Sequence, residues 1–184
     1  MGSCRNRSRE VICFAYGSNM LTARIRKRVG SVRTIAIGFL TDHRLVWTKP
    51  SDDGSGKCGV VPSDDPADIV WGVLQELDEL DLPNLDRFEG GYVRRPVIVR
   101  GGGGDVHAAT YIPDRLDPGL RPYGWYKRLV IAGAEEAGLP AEYIAQLESI
   151  PSVEDPDESR RSAELRALAT GGDAVPECGF DLSG

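Results

Sequence analysis

The stretch VICFAYGSNM, Val11–Met20, decides how the chain is read. Its first six residues form a nearly continuous apolar run, which reads as a buried strand. Gly17-Ser18-Asn19 then breaks the run. Glycine supplies a tight turn, and Ser18 or Asn19 has a side chain able to cap a helix starting near Met20. A strand–turn–helix opening fits either a doubly wound sheet or an α+β fold, and the elements that follow separate the two.

The helix from about Met20 to Val29 ends at Gly30, and four strand-like pieces come next: Val32–Leu40, Arg44–Thr48, Gly59–Val61 and Ile69–Leu77. Lys49–Lys57 is a loop by composition. Pro83 opens a short helix reaching Phe88 or Glu89, with Leu82, Leu85 and Phe88 on one side and Gly90-Gly91 as its stop. Strands Tyr92–Arg100 and Val106–Ile112 flank the glycine-rich turn Gly101–Asp105, and Pro96 marks an edge or a bulge. Helices close the chain. Tyr126, Leu129, Val130, Gly133, Ala134 and Ala137 share one stripe, Tyr143, Ile144 and Leu147 follow Pro140, and Ser159–Ala169 has helical composition. Strands precede most of the helices, so the expectation is α+β with flanking helices and a mixed or antiparallel β-sheet, open or closed, over a doubly wound one. The domain spans 11–150, behind a mobile N-terminus (1–10) and ahead of a C-terminal helix and tail (151–184), mobile from Gly171.

Composition narrows the function classes. With 184 residues, 41% hydrophobic and 27% charged, the chain supports one domain with a substantial core. No apolar run approaches the roughly 20 residues that cross a bilayer, so no membrane partner is expected. The opening MGSCRNRSRE lacks the apolar core of a secretory signal. Cys4, Cys13, Cys58 and Cys178 form no CxxC pair, which reads as reduced thiols in a cytoplasmic protein. His43 and His107 stand alone, too few for a histidine-built metal site, and neither a metal nor a cofactor is expected. A net charge of −6 disfavours nucleic acid. The first third is nonetheless basic, with Arg24, Arg26, Lys27 and Arg28 among its cations. Those residues read as a solvated helix face, or as a field drawing in a small anionic substrate.

Two features could carry chemistry. Backbone N–H groups at a glycine turn entering a helix bind a carboxylate or an oxyanion, so Tyr16–Asn19 is either a ligand cradle or a plain capped turn. Glu89 sits at the C-terminal end of a short helix, where the dipole disfavours a carboxylate. It is either a solvated glutamate before a glycine stop or, if covered by Phe88, an acid–base group. Tyr126 is a core aromatic or a hydroxyl donor to a ligand.

FAYGSNM (Phe14–Met20), DIVWGVLQEL (Asp68–Leu77), LDRFEGGYVRR (Leu85–Arg95) and WYKRLVIAGAEEAGLPAEYIAQL (Trp125–Leu147) come in the order and approximate spacing of the γ-glutamylcyclotransferase family, which the chain resembles over about Val11–Ile150. That family includes glutathione-pathway enzymes, plant AIG2-like proteins and the deprotecting cyclotransferase of butirosin biosynthesis. The resemblance implies a small barrel-like sheet and release of 5-oxoproline and a free amine from a γ-glutamyl amide. It makes Glu89 the catalytic glutamate, Tyr16, Gly17, Ser18 and Asn19 the substrate-binding turn, and Tyr126 a tyrosine facing the γ-glutamyl group. The alternative is a γ-glutamyl-binding or regulatory protein that has lost turnover, and homodimerisation is left open. Met20 replaces the family's usual leucine. The Lys49–Lys57 segment, the glycine hairpin and the tail match nothing in the family pattern and are expected to be specificity elements.

Overall fold

The computed structural model of the protein describes residues 9–169. Its strands are β1 (Glu10–Ala15), β2 (Val32–Thr41), β3 (His43–Pro50), β4 (Gly56–Pro62), β5 (Ile69–Asp78), β6 (Tyr92–Gly101) and β7 (Gly104–Pro113). Five of them close into a barrel in the order β1-β5-β2-β6-β7, while β3 and β4 pair as a separate hairpin. The barrel ladders are antiparallel except at the seam, where β1 and β7 run parallel and meet at Cys13 opposite Ala109. Side chains stitch that seam: the Thr110 hydroxyl donates to the Phe14 carbonyl at 2.8 Å, and the Tyr16 hydroxyl donates to the Tyr111 carbonyl. The α+β class expected from element order and the mixed, barrel-like sheet implied by the resemblance are the ones formed.

Strand β5 pairs with β1 on one side and β2 on the other, which accounts for its long apolar run; Val70, Val73, Leu74 and Leu77 are all buried. Strand β6 pairs along its whole length with β7 but meets β2 only at Phe39 opposite Arg100. Pro96 lies where β6 has no second neighbour, so its missing N–H breaks no second ladder. Alternate side chains of β1 enter two cores. Phe14 joins the larger one, with Trp47, Val60, Leu129, Val130 and Leu147. Cys13 joins the smaller one, with Ile25, Leu77, Leu82, Leu85 and Tyr111.

Three short or late elements differ from the sequence expectation. The helix after β1 is a single 3-10 turn, Ser18–Met20, and a one-turn α1, Thr22–Ile25, separated by an extended Leu21. Neither Ser18 nor Asn19 caps it, because Met20 and Leu21 are pulled into the core instead. The Lys49–Lys57 segment is a loop only at Ser51–Ser55: β3 runs to Pro50 and β4 starts at Gly56, so four of its nine residues are strand. Polar composition misleads only at those strand ends, where the hairpin borders a polar cavity. Strand β1 starts at Glu10, inside the segment assigned to a mobile N-terminus. The rest of that segment, except Arg9, and the tail from Gly171 lie outside the described residues.

Helix α2 (Leu82–Phe88) precedes β6, and α3 (Gly124–Glu136), α4 (Ala141–Ser149) and α5 (Glu158–Ala169) follow the barrel. Helix α5 is tied down by polar bonds: Asp155, buried, accepts from Trp125 Nε1 at 2.8 Å and from Arg160 Nε at 2.7 Å. Helix α3 crosses the turn after β1 at Gly133, where a Cβ would come within 2.5 Å of the Leu21 nitrogen and 2.8 Å of Met20 Cβ. Only glycine allows the helix to lie this close to the turn. Gly133→Ala should therefore push the turn off the helix at about 1–3 kcal/mol, a fall in Tm of roughly 3–10 °C by thermal denaturation.

Candidate active site

The turn at the end of β1, the C-terminal end of α2, the β3–β4 hairpin and the start of α3 surround one cavity of about 770 Å³. Tyr16, Gly17, Ser18, Asn19, Glu89 and Tyr126 all line it. Residues separated by more than 100 positions in sequence are thus brought together.

The turn is held rigidly. Met20 N–H donates to the Gly17 carbonyl at 3.0 Å, and the buried Gln75 amide donates to the Asn19 carbonyl at 2.9 Å. The Gly17, Ser18 and Asn19 amides precede that first turn bond, the position at which a helix start leaves donors free. Gly17 has φ −118°, so it is not needed for a left-handed conformation. Its lack of a side chain serves packing: a Cβ would sit 3.3 Å from both Cys58 Cβ and the Tyr126 hydroxyl.

Glu89 caps the C-terminal end of α2 and points back at the turn. Its Oε1 accepts from Asn19 Nδ2 at 2.8 Å and from Arg28 at 2.9 Å. Both bonds fall on one oxygen, so Oε2 of this cavity-lining carboxylate has no hydrogen-bond partner among the described residues. Phe88, the cover on which the acid–base reading of Glu89 was conditioned, is 56% exposed. Burial comes from Arg28 and Asn19: the Glu89 and Arg28 side chains are 12% and 15% exposed. The Arg28 guanidinium also lies 5.3 Å from the centre of the Phe88 ring. Burial pulls the Arg28 pKa below its usual value, as does nearby Arg24, while Glu89 opposes the shift.

Two tyrosines grip the backbone of one residue, Cys58. The Cys58 N–H donates to the Tyr126 hydroxyl at 3.1 Å, and the Tyr92 hydroxyl donates to the Cys58 carbonyl at 2.6 Å. Burial drives both phenol pKa values well up, keeping the protons on. Tyr126 thus reaches the cavity, but its oxygen is also a structural acceptor for β4. Tyr16, likewise buried and protonated, spends its hydroxyl on Tyr111 across the seam. Burial also pushes the thiols of Cys13 and Cys58 up, to about 11 and about 12, so neither supplies a thiolate nucleophile near neutral pH.

Arg24 and Arg28, read from sequence as one face of a solvated helix, are half-buried ion-pair partners: Arg24 meets Glu164 of α5 at 2.6 Å. Their four-residue spacing places both on one side of a helical turn, and that spacing was the available signal. Lys49, Lys57, Tyr92 and Glu164 also line the cavity; the two lysines bound the segment expected to be a specificity element, and none of the four was singled out as a site residue. Nothing in their local sequence separates them from surface polar residues.

Tyr126→Phe should leave the Cys58 N–H buried without a partner, at about 1–3 kcal/mol. Thermal denaturation should show a Tm lower by roughly 3–10 °C. Peptide mapping after iodoacetamide treatment of the folded protein at pH 8 should find Cys13 and Cys58 unmodified, with both labelled once the chain is denatured.

The AIG2-like family model matches residues 69–147. The bovine protein named gamma-glutamylcyclotransferase is 34% identical over 146 residues, covering 74% of this chain and 77% of the bovine one. The human protein of the same name is 31% identical over the same shares. A solved structure titled gamma-glutamyl cyclotransferase superposes with a TM-score of 0.76 at 28% identity, over 86% of this chain and 99% of the other. Relatedness of this extent, together with a barrel that carries the FAYGSNM turn and Glu89 on one cavity, places the chain in a single family. It belongs to the γ-glutamylcyclotransferase family.

Proposed function

We propose that the protein is a γ-glutamyl cyclotransferase that converts a γ-glutamyl amide into 5-oxoproline and a free amine. The observation that carries this reading is the Asn19–Glu89 hydrogen bond. It joins the turn expected to hold the glutamyl group to the single carboxylate expected to move protons. It does so on the wall of a cavity large enough for a small molecule.

The reaction is intramolecular. The substrate's α-amine attacks its own γ-carbonyl, the γ-amide C–N bond breaks, and a five-membered lactam closes. The α-ammonium must lose a proton before attack, and the departing nitrogen must gain one. A cavity-lining carboxylate with one oxygen pinned and the other without a partner among the described residues can take the first proton and deliver the second, so no protein nucleophile is required. The high thiol pKa values of Cys13 and Cys58 fit a mechanism without one. The amides of Gly17–Asn19 supply donors for the glutamyl carboxylate or the tetrahedral oxyanion, a contribution of about 3 kcal/mol per donor in comparable sites. Holding the glutamyl arm folded brings the amine and carbonyl into attacking distance, which lowers the entropic part of the barrier. The proposal needs no metal or cofactor and no nucleic-acid partner. It places the reaction in the cytoplasm, as the unpaired thiols suggest.

Glu89→Gln keeps an oxygen to accept from Asn19 and Arg28 but cannot exchange a proton. It should fold with a normal circular dichroism spectrum and release 5-oxoproline some 10² to 10⁴ times more slowly from a panel of γ-glutamyl amides. Wild-type turnover by the variant would sink the assignment.

A further inference from the structure

The β3–β4 hairpin carries an arrangement that fold stability alone does not favour. Lys49 and Lys57 are direct cross-strand partners, so both side chains leave the ribbon on the same face, and both line the cavity. Like charges directly opposite one another destabilise an antiparallel pair. The register is shifted to produce this. Val46 pairs with Gly59, yet Lys49 pairs with Lys57, so β3 holds one more residue than β4 across the interval. In an unshifted ladder Thr48 would face Lys57 and Lys49 would point to the other side of the ribbon. The bulge re-aims Lys49 into the cavity, the kind of use bulges find beside active sites.

The two ammonium groups are treated differently. Lys57 Nζ has a counter-ion, Asp53 at 2.6 Å, and lies over the rings of Trp125 and Tyr126 at 4.4 and 4.6 Å. Lys49 is only 6% exposed and has no carboxylate within ion-pair distance among the described residues. Its Nζ donates to the Gly90 carbonyl and lies 4.5 Å from the centre of the Tyr92 ring. A carbonyl and a ring face are neutral acceptors, so a buried positive charge is left with donor capacity and no anion. Burial lowers the Lys49 pKa, and Glu89 is the largest neighbouring charge working against that shift.

Position says which anion it takes. Glu89 must reach two substrate nitrogens, the attacking α-amine and the departing amide nitrogen, and each can have a carboxylate one carbon away. The turn at Gly17–Asn19 flanks Glu89 through Asn19, and Lys49 flanks it from the hairpin through the carbonyl of the next residue, Gly90. We infer that Lys49 is the specificity-determining residue for the leaving group, binding a carboxylate carried on the carbon next to the departing nitrogen. This inference rests on the cyclotransferase reading. It makes a γ-glutamyl amino acid a better substrate than a γ-glutamyl amide whose leaving amine has no carboxylate on that carbon.

The test is a matched substrate pair, γ-glutamyl-alanine and γ-glutamyl-ethylamide, which differ only in that carboxylate. Wild-type kcat/KM should favour the alanine compound. Lys49→Gln should reduce that preference by roughly 10- to 100-fold, the range for a charge-assisted hydrogen bond, and Lys49→Arg should retain most of it. The two compounds falling together in Lys49→Gln, or a preference left intact, would overturn the inference, since Lys49 would then hold the glutamyl end or support only the Gly90 backbone. Wild-type protein inactive on both compounds and on the wider panel would overturn the cyclotransferase reading itself.

Discussion

Everything at the cavity hangs on one oxygen. Glu89 Oε1 receives the Asn19 amide and the Arg28 guanidinium together, and these three residues come from the end of α2, the turn after β1 and the chain just past α1. Each segment is too short to hold its place unaided: α1 is one turn long, and α2 has seven residues. Their order comes from what they meet. Gly133 lets α3 press on Met20 and Leu21, Gln75 holds the Asn19 carbonyl from inside the barrel, and Leu82 and Leu85 root α2 in the smaller core. The carboxylate is the point at which these separate constraints agree. A carboxylate at a helix C-terminus is unfavourable taken alone, and here a half-buried guanidinium offsets that penalty.

The elements of the fold were legible because their signals are local. Val11–Tyr16 and Ile69–Leu77 are apolar runs of strand length, the glycine turn between β6 and β7 is short, and the stripe on α3 has helical period. The site was legible in part for a different reason: the FAYGSNM turn and Glu89 resemble a family pattern, and the cavity brings them together. What composition hid was long-range. Arg24 and Arg28 look like any basic helix face until Glu164 and Glu89 arrive from 140 and 61 positions away. Lys49 sits in a stretch with the polarity of a loop, and only a shift in strand register turns it inward. What covers Glu89 was hidden for a similar reason: adjacency to Phe88 in sequence says nothing about burial at the end of a helix, and Phe88 is largely exposed.

Charge within the cavity also runs against the rest of the molecule. The chain is net −6, yet Arg24, Arg28, Lys49 and Lys57 converge on one concavity. Three of these four cations are matched one to one by Glu164, Glu89 and Asp53. Such pairing keeps the cavity polar and ordered without making it uniformly attractive to anions, so selection falls to the few groups left unmatched.

The barrel's seam has a consequence of its own. Between β1 and β7 the backbone ladder shrinks to a single parallel pair, and the Thr110 hydroxyl and Tyr16 phenol carry much of the joining. Backbone ladders are blind to residue type, whereas side-chain stitches are written in the genetic code one residue at a time. The width of the barrel beside the turn is therefore open to single substitutions in a way the long β1–β5, β2–β5 and β6–β7 ladders are not. A lineage on this fold could loosen or tighten its cavity at Thr110 or Tyr16 without redesigning a strand.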